Sequence, residues 1–139
     1  GIDLYAANRL VYRYGGRAYE VLDLSRDVPR YRNVTCSCDP ILEAEIRYAL
    51  RKEKAKSLED LRRRTRLSLG PCQGLRCFAG AAQIISEELG WSVKETLEQI
   101  RSSVQQRWEQ KRPVLGGVAL QEEELMSESF FTGGRLNRV

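Results

Sequence analysis

The stretch "CDPILEAEIRYALRKEKAKSLEDLRRRTRLSLGPC", Cys38 to Cys72, decides the fold. Asp39-Pro40 has the form of a helix start: an aspartate cap accepts orphan backbone N–H bonds, and proline at the first helical position loses no useful donor. The pattern predicts a helix from Pro40 to about Lys52 that buries Leu42, Ile46, Ala49 and Leu50. Ser57 with Asp60 three residues on resembles a capping box, opening a second helix in which Leu58 and Leu61 share a face. Gly70-Pro71 is read as its end. Two cysteines are thus joined by a helical hairpin.

Downstream, Phe78, Ala81, Ala82, Ile85 and Leu89 recur at helical spacing from Cys77 until Gly90. Ser92 with Glu95 makes another capping box, and Val93, Leu97, Ile100, Val104 and Trp108 continue as an apolar stripe until Pro113. Upstream, Ala6 to Tyr14 reads as a helix before Gly15-Gly16, and Arg17 to Leu24 as a short second one with Val21 and Leu22 inward. The polar connector "SRDVPRYRN" places a boundary near Arg32. No run alternates as a strand does and no repeat is present, so the reading is all-α. The tail "VLGGVALQEEELMSESFFTGGRLNRV" is mixed; its Phe130-Phe131 pair suits a contact with another part of a longer protein, and plain disorder suits the composition equally.

The 139 residues fit one compact unit with a modest core, and no apolar run reaches the length a membrane helix needs. The chain opens at Gly1 on "GIDLYAANRLVYRYG", which reads as the middle of a folded segment and so as a piece of a longer protein. The net charge of +4 favours acidic partners only weakly, because the basic and acidic residues are mostly interspersed. There is no histidine, which removes imidazole acid-base chemistry and the commonest metal ligand. Any metal site must rest on cysteine, with carboxylates as the lesser option.

The four cysteines fall in two turns, "NVTCSCDP" and "GPCQGLRC", giving Cys36 and Cys38 one residue apart and Cys72 and Cys77 four apart. Buried or disulfide-bonded cysteines fit these turns poorly. A structural zinc suits four thiolates, but zinc pairs usually leave two to four residues within each pair, which Cys36/Cys38 does not. An iron–sulfur cluster also takes four cysteinates and tolerates unequal spacings. Such a cluster, being negative, gains from helix N-termini after Asp39 and at Cys77, from close backbone approach at Gly70 and Gly74, and from the hydroxyls of Thr35 and Ser37.

The segment from Cys36 to Cys77 resembles the bacterioferritin-associated ferredoxin-like (BFD-like) [2Fe-2S] domain, a small helical fold. "SLEDLRRRTRLSLGPCQGLRC" with the Ala-rich helix after it is similar to the form at the C-terminus of the large subunit of anaerobic, FAD-dependent glycerol-3-phosphate dehydrogenases. "RLVYRYGGRAYEVLDL" likewise resembles the helical region after the flavin domain of such enzymes. The likeness runs from residue 8 to about 110. It implies that Cys36, Cys38, Cys72 and Cys77 hold the cluster. Bacterioferritin-associated ferredoxin itself leaves two residues between its last two ligands; the four found here agree with the dehydrogenase branch.

The resemblance implies residues 1-32 as a helical remnant following the flavin domain, 33-90 as the [2Fe-2S] domain, and 91-139 as a C-terminal helix and tail. It implies an electron-transfer part of an enzyme that oxidises glycerol 3-phosphate to dihydroxyacetone phosphate, passing electrons from FAD toward other subunits and quinone. No G-x-G-x-x-G fingerprint is present, so FAD and substrate belong to sequence outside this chain, and the chain alone is expected not to catalyse the oxidation. Its expected partners are the flavin domain of the same parent and other subunits, in the cytoplasm or peripheral to its membrane, without insertion. "RRRTR" (Arg62, Arg63, Arg64, Arg66) reads as a solvated face or a docking surface; Glu59 and Asp60 weaken it as a nucleic-acid site. Two alternatives stand beside this: a zinc-stabilised or metal-free helical binding module, and a cluster domain of another flavin oxidoreductase such as an amino-acid or opine oxidase.

Overall fold

The computed structural model describes residues 1–133, with side chains through residue 129. The first helix, α1 (Leu4–Tyr14), starts at Asp3, whose carboxylate accepts the Ala6 N–H at 3.1 Å. Ala6, Leu10 and Tyr14, spaced by four, form its buried stripe. A single 3₁₀ turn through Gly15-Gly16 leads into α2 (Ala18–Asp23), which buries Ala18 and Val21 and leaves Leu22 half-buried. A second 3₁₀ turn, Pro29–Arg32, buries Tyr31.

The next element is not helical. Strands β1 (Val34–Cys36) and β2 (Ile41–Leu42) pair antiparallel, Val34 against Leu42 and Cys36 against Ile41, with a bulge between. The Cys-x-Cys stretch is therefore the tip of a small hairpin, and the expected helix at Pro40 begins at α3 (Glu43–Arg51). The reason lies far away in the chain. Asp39 does not cap a helix, because Arg9 Nε and Nη2 hold both of its carboxylate oxygens, at 2.9 and 3.1 Å. Arg13 adds a bond to Asp39 at 3.2 Å and one to the Pro40 carbonyl at 2.7 Å. The helix is capped instead by Glu45, whose carboxylate accepts the Leu42 N–H at 2.9 Å.

Every residue from Pro40 to Leu50 is buried, so α3 is the central element. One side, with Ala44 and Tyr48, joins Leu10, Tyr14, Val21 and Leu42 in a core under α1 and α2. The other, with Ile46, Ala49 and Leu50, enters a second core with Cys36, Cys77, Phe78 and Ile85. Three charged residues of α3, Glu43, Glu45 and Arg47, are buried in the process. Glu45 accepts from Arg13 Nε and Nη2, each at 2.7 Å, and Arg47 bonds Glu43, Glu87 and Glu88 with its guanidinium 4.4 Å over the Tyr31 ring.

Helix α4 (Leu58–Thr65) opens as read: the Ser57 hydroxyl accepts the Asp60 N–H. Asp60 does not reciprocate but accepts from Lys56, and the helix ends at Arg66, in the left-handed region at φ 65, well before Gly70-Pro71. Helix α5 (Phe78–Leu89) buries Phe78, Ala81, Ala82, Ile84 and Ile85 and closes at Gly90; Leu89, expected inward, is exposed. Helix α6 (Val93–Lys111) carries the complete Ser92/Glu95 capping box and packs Ile100 and Val104 into the second core, while Val93 stands in solvent.

The tail forms α7 (Gly117–Gly133), a helix the sequence reading did not foresee. Lys111 bonds Glu123 at 2.8 Å across it, and the Phe130-Phe131 pair lies outside the described side chains. The fold is mostly helical with one two-stranded exception. Among the described residues no helix is long and apolar enough to cross a membrane.

Arg13→Ala would leave Glu45 buried, charged and without its partner, and is expected to cost about 3–5 kcal/mol in urea unfolding. Arg26→Ala, which breaks only an exposed pair with Asp23, is expected to cost less than about 1 kcal/mol. Stability is also linked to acid. Arg9 holds the Asp39 carboxyl below its ordinary range, and Arg47 and Arg51 do the same for Glu87 and Glu88. Groups lowered on folding contribute stability above their unfolded pKa and lose it as pH falls through the folded one, so unfolding free energy is expected to drop below about pH 4. Asp39→Asn should flatten that slope in urea titrations run at pH 5, 4 and 3.

Candidate metal centre

Two loops bring the cysteines together: the hairpin tip carrying Cys36 and Cys38, and the segment from Arg66 to Cys77 between α4 and α5. Residues there take left-handed backbone conformations, Arg66 at φ 65, Ser68 at φ 64, Gln73 at φ 50 and Gly74 at φ 100. Such turns point successive backbone N–H groups into one space, as anion-binding nests do. The approach is very close at Gly70, where an added Cβ would lie 2.2 Å from the Cys38 Cβ. At Gly74 an added Cβ would strike the Phe78 ring at 2.3 Å, besides needing its positive φ. Both glycines singled out in the sequence are thus required by contact.

The sulfurs form two pairs, each with one member from either loop. Cys38 Sγ lies 3.4 Å from Cys72 Sγ; the Cys77 thiol donates to the Gly74 carbonyl at 3.9 Å and is near enough to Cys36 for each to shift the other. No disulfide joins them. Cys36 and Cys77 are each 1% exposed, whereas Cys38 and Cys72 reach the surface in part. Among the described residues, no three cysteine, aspartate or glutamate side chains meet closely enough to hold one metal ion. Two sulfurs on one tetrahedral metal with bonds of about 2.3 Å stand about 3.8 Å apart, close to what the Cys38/Cys72 pair shows.

The electrostatics divide each pair in the same way. The Cys77 thiol stabilises Cys36 as a thiolate; burial opposes this, but N–H groups of Asp39, Cys38 and Ser68 add to it, and Cys36 falls to about 5. Cys77, as donor and as a buried group, is pushed up. Burial raises Cys72, yet the N–H groups of Arg76 and Gly74 and the Cys38 thiol outweigh it and bring Cys72 down. Cys38 gains from the Cys72 N–H, but its donation to Cys72, with burial, leaves it raised. The thiolate is the metal-binding form, and Cys36 and Cys72 are the two whose surroundings favour it.

The four predicted cysteines lie on two neighbouring loops, with Cys38 and Cys72 in direct contact, and among the described residues no three of them gather round one point. Of the hydroxyls expected beside them, Ser37 is exposed, and the Thr35 methyl rests 3.5 Å from the place a Gly80 Cβ would occupy. The sequence reading missed Ser68, whose backbone N–H serves both Cys36 and Cys77 and whose buried hydroxyl has no partner. It also missed Arg9 and Arg13, which anchor the hairpin tip. Only the density of arginine in "ANRLVYRYGGR" hinted at such a role. In the arginine run, Arg62 and Arg63 pair with Glu59, Arg64 is exposed, and Arg66 approaches Asp39 at 3.9 Å.

The family model described as the C-terminal domain of alpha-glycerophosphate oxidase matches residues 1–96. The chain is 34% identical over 114 residues to one subunit of the anaerobic glycerol-3-phosphate dehydrogenase of Escherichia coli (strain K12), covering 82% of this chain and 20% of that protein. It is 31% identical over 129 residues to the subunit of the same name in Haemophilus influenzae, covering 93% and 22%. Against a subunit of the anaerobic glycerol-3-phosphate dehydrogenase of Haloferax volcanii it is 32% identical over 117 residues, covering 84% and 19%. It spans about a fifth of the length of these relatives. No solved structure matches the chain. With more than half its length matched, this chain belongs to the family of the C-terminal domain of alpha-glycerophosphate oxidase.

Proposed function

We propose that this chain is the electron-transfer part of an FAD-dependent glycerol-3-phosphate dehydrogenase, with Cys36, Cys38, Cys72 and Cys77 holding a [2Fe-2S] cluster. The observation that carries the reading is the arrangement of the sulfurs in two pairs inside a nest of backbone N–H groups. A cluster with four thiolates is negative, and N–H donors together with partial burial make that charge tolerable and set the potential. When bound, the cluster accepts and releases single electrons.

The parent would remove two electrons and two protons from glycerol 3-phosphate, giving dihydroxyacetone phosphate, at a flavin outside this chain. The residues here contribute thiolate ligands, hydrogen bonds to sulfur, and a rigid frame in which Arg9 and Arg13 fix the hairpin tip. Residues 33–90 form the electron-carrying unit in this reading, with residues 1–32 and 91–139 flanking it. The relatives are each named as one lettered component of a dehydrogenase, which supports further subunits as partners; in this reading electrons pass through them toward quinone, with the assembly in the cytoplasm or peripheral to its membrane.

Anaerobic reconstitution with iron and sulfide is expected to give about two irons and two sulfides per chain, with an EPR signal after dithionite that is lost in Cys36→Ala. Stoichiometric zinc in natively isolated protein, with no cluster assembled, would overturn the reading in favour of a structural module. Gly70→Ala, which drives a methyl group into Cys38, is expected to lose most of the bound iron while keeping helical circular dichroism. Gly16→Ala, where an added Cβ meets nothing within 4 Å, is expected to bind iron as the wild type does.

A further inference from the structure

Helix α1 carries two apolar faces, and the fold uses one of them. Ala6, Leu10 and Tyr14, four residues apart, are the buried stripe. Leu4 with Val11 and Tyr5 with Tyr12, each pair two turns apart, lie together on the opposite side of the helix and are between 55 and 76% exposed. Tyr19 in α2 is more open still, at 78%, and with Ile2 and Leu22 it lines a cavity of about 360 Å³ that reaches the start of α1. All three exposed tyrosines of the chain are here, since Tyr14, Tyr31 and Tyr48 are buried. Three phenol rings this open leave on the order of 400 Å² in water, as much as the largest apolar patch of an ordinary monomer. A helix that is apolar on both sides is one that a larger structure buries.

The charges around this face decide what can cover it. Arg9 and Arg13, the cations of α1, are turned to Asp39 and Glu45, and Arg17 pairs with Glu53. Asp3, Glu20 and Asp23 are exposed close by and add negative charge. An anionic lipid surface needs free Lys and Arg beside the apolar residues, so it matches poorly. Neutral phenols among aliphatic side chains match a protein surface that is itself apolar and offers hydrogen-bond acceptors. The relatives are about five times as long as the stretch this chain matches, and the family model, a C-terminal domain, includes α1 in its match over residues 1–96. Resting on the reading of this chain as one part of a larger dehydrogenase, though not on its cluster, we propose that the outward face of α1, together with Tyr19, is where the flavin-bearing remainder of the parent docks. The same helix grips the hairpin tip from its other side through Arg9 and Arg13. The docked body therefore lies one helix's thickness from the first two cysteines.

The test is hydroxyl-radical footprinting of the purified full-length parent, read by mass spectrometry, with Tyr14 and Tyr48 as buried references and Leu125 as an exposed one. Tyr5, Tyr12 and Tyr19 are expected to oxidise about tenfold more slowly than their openness in this chain dictates, at the level of Tyr14, which is 6% exposed. Oxidation of all three at the rate of a solvent-exposed tyrosine overturns the proposal. A photoreactive benzophenone side chain in place of Tyr12 then identifies the occupant. A cross-link within one polypeptide, to a peptide outside residues 1–139, is expected. A cross-link to the same residues of a second copy overturns the proposal in favour of self-association. Protection that requires vesicles of phosphatidylglycerol overturns it in favour of a membrane surface. A parent without flavin absorbance defeats the dehydrogenase reading on which the identity of the occupant rests, a result that the spectrum of the same sample tells apart from an open face.

Discussion

Arg13 is almost wholly enclosed, its side chain 3% exposed, and it bonds Glu45, Asp39 and the Pro40 carbonyl from one guanidinium. That single group joins three elements: the helix that carries it, the hairpin tip with the first two cysteines, and the start of α3. A planar fork with five donors suits such a junction where a lysine would not. The ion pair also explains how Glu45 survives complete burial. Burial raises its pKa, opposed by Arg13 and by the Leu42 N–H it caps, so removing either partner undoes both a helix start and a loop position.

The cysteine loops depend on that anchoring because they are strained. Ser68 and Gln73 sit at positive φ without being glycine, a conformation that costs free energy and persists only when the surroundings fix it. What the strain accomplishes is the inward aim of N–H groups at sulfur. The hairpin tip must come within contact of Gly70 for the two loops to share those donors, and the arginines that hold Asp39 keep it there. The charge network between α3 and α5, centred on Arg47 and Tyr31, secures the opposite side of the same core.

Features governed by near neighbours were legible in the sequence. The Ser92/Glu95 box, the αL close at Gly90, the buried stripe of α5 and the Ser57 cap all involve residues within a turn of one another. Gly70 was legible as a point of close approach to a cysteine, whereas the close neighbour of Gly74 is the Phe78 ring and not a sulfur. Asp39 was misread because its partners lie about thirty residues earlier, and a local cap rule cannot weigh a bidentate arginine from another helix. The short strands escaped notice for a related reason: two residues opposite three, with a bulge, carry no alternation. Ser68 looks like an ordinary polar position between leucines, and its role exists only in the backbone.

Helix α3 belongs to both cores at once, with Tyr48 on one side and Ile46 on the other. The cysteine-bearing half is therefore not a cassette that recombination could lift from its host intact. A transplanted copy ending at the hairpin would present Leu42, Ala44 and Tyr48 as a bare apolar face and leave Glu45 uncompensated. Any ancestral fusion that carried this unit had to bring, or invent, a cover for that face, so the N-terminal helices and the cysteine loops are bound to evolve together.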